Sequence, residues 1–331
     1  MLETDVNETS LSPCLVIGAS GFIGRNLVLK LAESGIAVRA LTRSGEIKVE
    51  HPLVEWVKGD MLDIGTLDRV LENVGSVVQL GTTTKPASSN ANIPFDISSN
   101  LIGNIRLLEK LAARKGVKFV FISSGGTVYG DPVYVPIKET HPTEPKSSYG
   151  ITKLAIEKYI AMFSRLYDID STILRVSNPF GEYQSYSDGQ GVVATFLWRA
   201  LNDMPIEIWG DGSAVRDYLY VGDVCEAILA ALRYRGKEPV FNIGYGKGLS
   251  VIEILKGIEE TIGFSADVRF LPGRPTDVRV SVLDSSLAQR ELGWSAKTSL
   301  YEGLQRTAQW MSTLLGRELA QRAEEKRKKS S

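Results

Sequence analysis

Cysteine and histidine are nearly absent. Two of each occur in 331 residues: Cys14 and Cys225, His51 and His141. The cysteines stand far apart in apolar contexts, which excludes a disulfide scaffold and predicts buried thiols in a reducing compartment. Each histidine precedes a proline, and no cluster of His, Cys and carboxylate has metal-ligand spacing, so no metal site is expected. No apolar run approaches the roughly 18 residues of a membrane span. The net charge of −1 offers no global field for nucleic acid or a membrane surface. Residues 1–12 lack the basic start and apolar centre of a secretory signal and read as a flexible leader. Residues 316–331 form a charged tail that ends in a basic run from Lys326 to Lys329. Together these absences predict a cytoplasmic protein. What is present in quantity is apolar: 43% of residues are hydrophobic, enough for a sizeable core.

The apolar residues come in short strand-length runs separated by helical stretches. Cys14 to Ile17 predicts a parallel strand buried on both faces. A helix follows from about Phe22 to Ser34, then strands at 37–41, 54–57, 76–80, 118–122 and 171–175. Helices are expected at 64–71, 97–115 and 149–167. Strands alternating with helices give right-handed crossovers and an α/β doubly wound parallel sheet, a Rossmann fold. The pattern loosens after Asn178-Pro179, predicting a smaller C-terminal α/β substrate-binding lobe. The domain boundaries are therefore set at 13–177, with about 221–245 packing back, for the dinucleotide-binding domain, and at 178–315 for the lobe.

Two patterns carry chemistry. Gly18-Ala19-Ser20-Gly21-Phe22-Ile23-Gly24 follows an apolar strand and opens a helix. That is the setting in which backbone N–H groups and a helix N-terminus cradle a dinucleotide pyrophosphate. Tyr149 and Lys153 are four residues apart, hence on one helix face. A neighbouring cation favours a phenolate, so the Tyr149 pKa is expected to fall towards neutral and make it an acid/base. The second strand ends Leu41-Thr42-Arg43, with no acid for a bare ribose. Arg43 suits a 2′-phosphate or stacking on adenine, leaving NAD and NADP both open. Asp60 and Met61, at the end of the third strand, are placed to reach the adenine edge. Leu80, Gly81 and Thr82 after the fourth strand, and Ser123 after the fifth, are expected to line the cofactor site. Asn100, near a helix start, reads as a cap or a support of that site. Ser124 and Thr127 offer hydroxyls in the loop after the fifth strand.

With these motifs the sequence resembles the extended short-chain dehydrogenase/reductases, and within them the nucleotide-sugar epimerases and dehydratases of the UDP-glucose 4-epimerase type. The resemblance also includes Asn178-Pro179-x-Gly181, Trp209-Gly210-Asp211-Gly212, Arg216-Asp217-Tyr218 and Arg274-Pro275-Thr276-Asp277. It implies an NAD-dependent 4-epimerase of a nucleoside-diphosphate sugar, UDP-linked, or alternatively an NADPH-dependent 4-keto nucleotide-sugar reductase. It implies Tyr149 as acid/base and Lys153 on the nicotinamide ribose. Substrate contacts are implied for Asn178, Val192, Glu207, Trp209, Arg216, Arg274 and Asp277, with Thr84 and Lys85 shaping the sugar pocket. It further implies a homodimer through a four-helix bundle, for which Leu107, Leu108, Leu111, Ile156, Ile160 and Phe163 are the apolar candidates. The sequence departs from the family pattern at three positions. Gly125 stands where the catalytic hydroxyl is usual, so Ser124 or Thr127 is expected to replace it. Val176 stands in place of an aromatic, and Thr42 in place of the acid.

Overall fold

A strand buried on both faces needs helices on both sides, and the alternation along the chain supplies them. The computed structural model describes residues 11–45, 49–86, 88–186, 191–263, 265–273 and 278–329. Its first half runs β1 (Cys14–Ile17), α1 (Phe22–Glu33), β2 (Val38–Thr42), β3 (Val54–Lys58), α2 (Ile64–Val70), β4 (Ser76–Gln79), α3 (Ile93–Asp96), α4 (Gly103–Ala112), β5 (Lys118–Ser124), α5 (Ser148–Tyr167) and β6 (Ser171–Val176). The second half runs β7 (Asn178–Phe180), α6 (Val192–Leu201), β8 (Ile206–Trp209), β9 (Val215–Tyr220), α7 (Val221–Arg233), β10 (Val240–Ile243), β11 (Gly248–Ser250), α8 (Val251–Ile262), β12 (Val268–Leu271), β13 (Val280–Ser281), α9 (Ser286–Leu292) and α10 (Leu300–Lys329).

The main sheet has seven strands in the order β10-β6-β5-β4-β1-β2-β3, every neighbouring pair parallel. Strand order reverses between β1 and β4, the position at which such sheets open a ligand crevice. Leu27, Val28 and Leu31 of α1 and Val224 to Leu232 of α7 cover one face. Leu67 of α2, Leu107 and Leu111 of α4, and Ile156 and Ile160 of α5 cover the other. The strand at 240–243 joins this sheet by pairing with β6. The remaining strands form two small sheets, β11-β9-β13 with β7 on β9, and β12-β8. Val193 and Leu197 of α6, Ile254 and Ile258 of α8, and Leu304 of α10 pack around them in a third core.

Two expectations need correction. The helix foreseen over 97–115 is three pieces: α3, a π-helical turn over Ile97–Ile102, and α4. Within that turn the Asn104 side-chain amide donates to the Asn100 carbonyl at 2.7 Å, and the widened turn is of the kind found at functional sites. The six apolar residues offered for a helix bundle are all buried against the sheet. Both faces of these helices carry apolar residues, and the sheet takes the larger set. The large apolar side chains that stay exposed there are Ile97, Ile102, Ile151, Tyr159, Leu166 and Tyr167.

Candidate active site

The carboxyl ends of β1, β2, β4 and β5 open into a cavity of about 1160 Å³, closed on the far side by residues of β7, α6 and β9. The glycine-rich turn forms one wall. Gly18 has φ +87°, and a Cβ there would sit 2.7 Å from the backbone nitrogen of Gly81, so the loops after β1 and β4 touch. Glycine is required for that approach. Ser20, Gly21, Phe22, Ile23 and Gly24 line the cavity at the start of α1. Thr42, Arg43, Asp60 and Met61 line the end near β2 and β3, and Leu80, Gly81 and Thr82 the floor. These residues suit a dinucleotide: backbone N–H groups at a helix N-terminus for the pyrophosphate, and a polar and thioether edge for a purine.

Tyr149 and Lys153 line the same cavity from α5. Lys153 Nζ donates to the Ile122 carbonyl at 2.7 Å and lies 5.7 Å from the Tyr149 ring centre and 4.7 Å from that of Phe121. The first turn of α5 is anchored from outside. Ser148 N–H donates to Asn90 Oδ1 at 2.8 Å, and Tyr149 N–H to Ser89 Oγ at 3.1 Å. These partners satisfy amides that a helix start leaves free. Electrostatically the pair differs from the expectation. Burial pushes the Tyr149 phenol up to about 12, and the Asp96 carboxylate adds to that shift. Burial draws Lys153 down to about 8, against the pull of Glu157 and Asp96. Desolvation of the phenolate, with the Asp96 charge added to it, sets the direction of the Tyr149 shift in this site.

Asp96 was not foreseen as part of the site. It is fully buried and accepts four side-chain hydrogen bonds: from Thr84 Oγ1, Asn100 Nδ2 (2.9 Å), Ser148 Oγ (2.6 Å) and Thr152 Oγ1 (2.9 Å). These bonds hold it below the usual carboxylate range although burial alone acts to raise it. Asn100 is thus not a helix cap. Its Oδ1 accepts from the Thr83 N–H at 2.9 Å and the Thr82 hydroxyl at 3.3 Å, so it fastens the loop after β4 to the π turn.

Of the hydroxyls at the end of β5 and in the loop after it, Ser123 donates to buried Glu157, which also pairs with Arg175 at 2.6 Å. Thr127 Oγ1 is buried with no partner among the described residues. Ser124 lines the cavity and is partly exposed. A Cβ at Gly125 would meet Leu283 Cδ1 at 2.5 Å, so a side chain there requires Leu283 to shift. Thr84 and Lys85 border the cavity, though the Thr84 hydroxyl is turned to Asp96. Asn178, Val192 and Arg216 line its far side, and Arg216 donates to the Val215 carbonyl at 2.9 Å. Glu207 and Trp209 are not in the lining. Glu207 pairs with Arg199 at 3.4 Å, and Trp209 is half exposed on β8. Arg274 and Asp277 lie outside the described residues. Asn90 and Ser99 join the lining without a sequence signal, and Gln184 joins it from the loosely patterned stretch after Asn178-Pro179.

The family model described as the NAD dependent epimerase/dehydratase family matches residues 14–244. A Thermotoga maritima UDP-glucose 4-epimerase, solved with UDP-glucose, is 37% identical with a TM-score of 0.86, the match covering 91% of this chain and 99% of that one. The UDP-glucose 4-epimerase of Mycolicibacterium smegmatis is 35% identical over 304 residues, 89% of this chain and 97% of its own length. An Escherichia coli dTDP-4-dehydro-6-deoxyglucose reductase is 33% identical over 299 residues, 88% of this chain and 94% of its own. The chain belongs to the NAD dependent epimerase/dehydratase family.

Proposed function

We propose that this protein is an NAD-dependent 4-epimerase of a nucleoside-diphosphate sugar, acting on UDP-hexoses. The observation that carries this is one cavity lined by the glycine-rich turn, by the Tyr149 and Lys153 pair, and by Asn178 and Arg216 opposite. Relatives that handle UDP-glucose support the UDP-linked class.

The residues fit the dinucleotide: Gly18, Gly21 and Gly24 for its pyrophosphate, Asp60 and Met61 for adenine, and Lys153 for the nicotinamide ribose. Bound NAD supplies the reversible hydride acceptor for C4 of the sugar and a positively charged ring. The chain's own work is to hold and move a proton. Tyr149 takes the proton of the sugar 4-hydroxyl and later returns it, with Ser124 orienting the same oxygen. Lys153, fixed on the Ile122 carbonyl, favours the phenolate form that accepts this proton. Arg216 and Asn178 clamp the diphosphate at the far end, with Val192 beside them, so the sugar is held only through its phosphates.

Tyr149→Phe tests the assignment. Turnover falls by about 10²- to 10⁴-fold, the usual share of a positioned acid/base, while NAD binding stays within a few-fold. Activity near that of the unaltered protein sinks it.

The protein works as a homodimer in the cytoplasm. Exposed Ile151, Tyr159 and Leu166 form the apolar strip of α5 that a second copy covers, and both cysteines are free and buried. Among the described residues no helix is long and apolar enough to cross a membrane. Light scattering that gives a monomer at micromolar concentration refutes the dimer. A second reading, an NADPH-dependent 4-keto nucleotide-sugar reductase, rests on Arg43 and on the reductase relative.

A further inference from the structure

Glu157 lies one turn beyond Lys153 on α5, on the same face of the helix. It is buried and absent from the cavity lining. Its partners come from two neighbouring strands. Arg175 of β6 grips it with two nitrogens, Nη2 at 2.6 Å from Oε2 and Nε at 3.1 Å from Oε1. Ser123 of β5 donates its hydroxyl to Oε1. Ser123 and Arg175 are register partners across β5 and β6. A two-pronged guanidinium and a hydroxyl thus fix one carboxylate in place.

The network reaches both ends of one loop. Ser123 follows Ile122, whose carbonyl holds Lys153 Nζ at 2.7 Å, and precedes Ser124 in the cavity lining. At the other end Arg175 Nη1 donates to the Tyr129 hydroxyl at 2.8 Å, and that hydroxyl donates to Asn242 Oδ1 at 2.7 Å. Tyr129 is buried and stands just before Gly130, another lining residue. Ser124, Gly126 and Thr127 line the cavity from between these two anchors.

A buried ion pair adds little net stability over apolar residues of the same volume. What apolar residues cannot supply is a negative charge beside Lys153. Among the described residues two carboxylates act on that ammonium, Glu157 the more strongly and Asp96 from the end of α3, and the Tyr149 ring lies beside it. Asp96 already takes four donors. Arg175 faces Glu157, Tyr129 and Glu139.

We propose that Glu157, with Arg175, is a positioning residue for the reaction: one buried pair sets the loop from Ser123 to Tyr129 and places a fixed negative charge beside Lys153. The inference rests on the reading of Lys153 as the cation that serves Tyr149.

The test reads Lys153 directly. Lysine side-chain nitrogens are isotope-labelled, the signal missing from Lys153→Met identifies Lys153, and its titration is followed by nuclear magnetic resonance with no nucleotide or sugar present. Glu157→Gln keeps the shape and removes the charge. Its Lys153 midpoint should fall by about 1 pH unit, the order of shift a neighbouring opposite charge produces. Because this change leaves Arg175 buried and unpaired, a costly state, the double variant Glu157→Gln/Arg175→Met is measured beside it. The double variant keeps neither charge, and its midpoint should fall by less. Tyr129→Phe cuts the Arg175 and Asn242 bonds, keeps the pair, and should leave the midpoint in place. At pH 7 kcat/KM for a nucleotide sugar should drop by about 10-fold or more in both Glu157 variants, within the scale of misplaced reacting groups. An unmoved midpoint in a folded Glu157 variant overturns the proposal, as does kcat/KM near that of the unaltered protein. A midpoint moved as far by Tyr129→Phe makes the effect general loosening and overturns it too. If neither Glu157 variant folds, the pair is structural and the proposal falls. Turnover surviving in Tyr149→Phe strikes the reading of the reaction instead, since the titration is read without it.

Discussion

Ser148 Oγ donates to Asp96 Oδ2 at 2.6 Å, and the next residue along the helix is Tyr149. This bond ties the start of α5 to a carboxylate that also takes Thr152, Thr84 and Asn100. Four donors from three segments meet one buried charge. Tyr149 is therefore positioned by a group that is absent from the cavity lining.

Asp96→Asn tests that link. The amide keeps the shape but removes the charge and supplies two donors where four donors already point. Leaving buried groups unpaired costs about 1–3 kcal/mol each, so the unfolding free energy falls by at least that much. The Asp96 pKa is lowered in the fold. Its contribution is thus present above the unfolded carboxyl pKa of about 4 and is lost as pH falls through the lower folded value. Urea unfolding at pH 7 and pH 3 should show a larger wild-type advantage at pH 7. The same carboxylate raises the Tyr149 pKa, so the limb of the kcat/KM profile that reports Tyr149 should move to lower pH in the variant. An unmoved limb with lowered stability makes Asp96 a structural group only.

Lys153 leads to a second pH prediction. Its pKa is drawn down to about 8 from an ordinary 10.5. Between these values the unfolded chain binds more protons at this site than the folded one, so stability rises with pH. Buried tyrosines, whose pKa values are raised, oppose the rise above pH 10. The buried Cys14 and Cys225 thiols, also raised by burial, oppose it from about pH 9 in both proteins, so the Lys153 contribution is read as a difference over about pH 8 to 10. Over that window the stability difference between the unaltered protein and Lys153→Met should change in favour of the former as pH rises, measured by urea midpoints. A difference that stays flat across the window contradicts the buried, destabilised ammonium.

Gly125 is kept open by Leu283. A Cβ there would meet Leu283 Cδ1 at 2.5 Å and the Arg175 carbonyl at 3.1 Å. Gly125→Ser, which restores the hydroxyl usual for the family, should cost about 1–3 kcal/mol by overpacking. Combined with Leu283→Val the cost should be less than the sum of the two single changes by at least about 0.5 kcal/mol. Additive losses in thermal unfolding contradict the steric account.

The parts of the site that the sequence made legible are those carried by short, contiguous patterns. The turn from Gly18 to Gly24 sits between an apolar strand and a helix, and Tyr149 and Lys153 share one helical face; both patterns span a few residues and survive folding unchanged. The alternation of strands and helices likewise anticipated the doubly wound sheet. Asp96 was not legible because its donors, at 84, 100, 148 and 152, are brought together only by the fold. The π turn was hidden for a similar reason: 97–115 has ordinary helical periodicity, and the turn over Ile97–Ile102 leaves no mark in it. The inward and outward faces of α4 and α5 could not be separated, since Leu107 and Ile151 are both apolar and only packing decides which is buried. The direction of the Tyr149 shift depended on burial, which spacing does not report.

The most direct test of the central claim is to incubate the purified protein with UDP-glucose, with no reductant and only catalytic NAD, and to follow the sugar by nuclear magnetic resonance. The account predicts the C4 epimer accumulating to equilibrium, with no net change in nicotinamide absorbance and with the reaction abolished in Tyr149→Phe. No epimer from any UDP-hexose, alongside stoichiometric oxidation of NADPH by a 4-keto nucleotide sugar, would contradict it and make the protein a reductase.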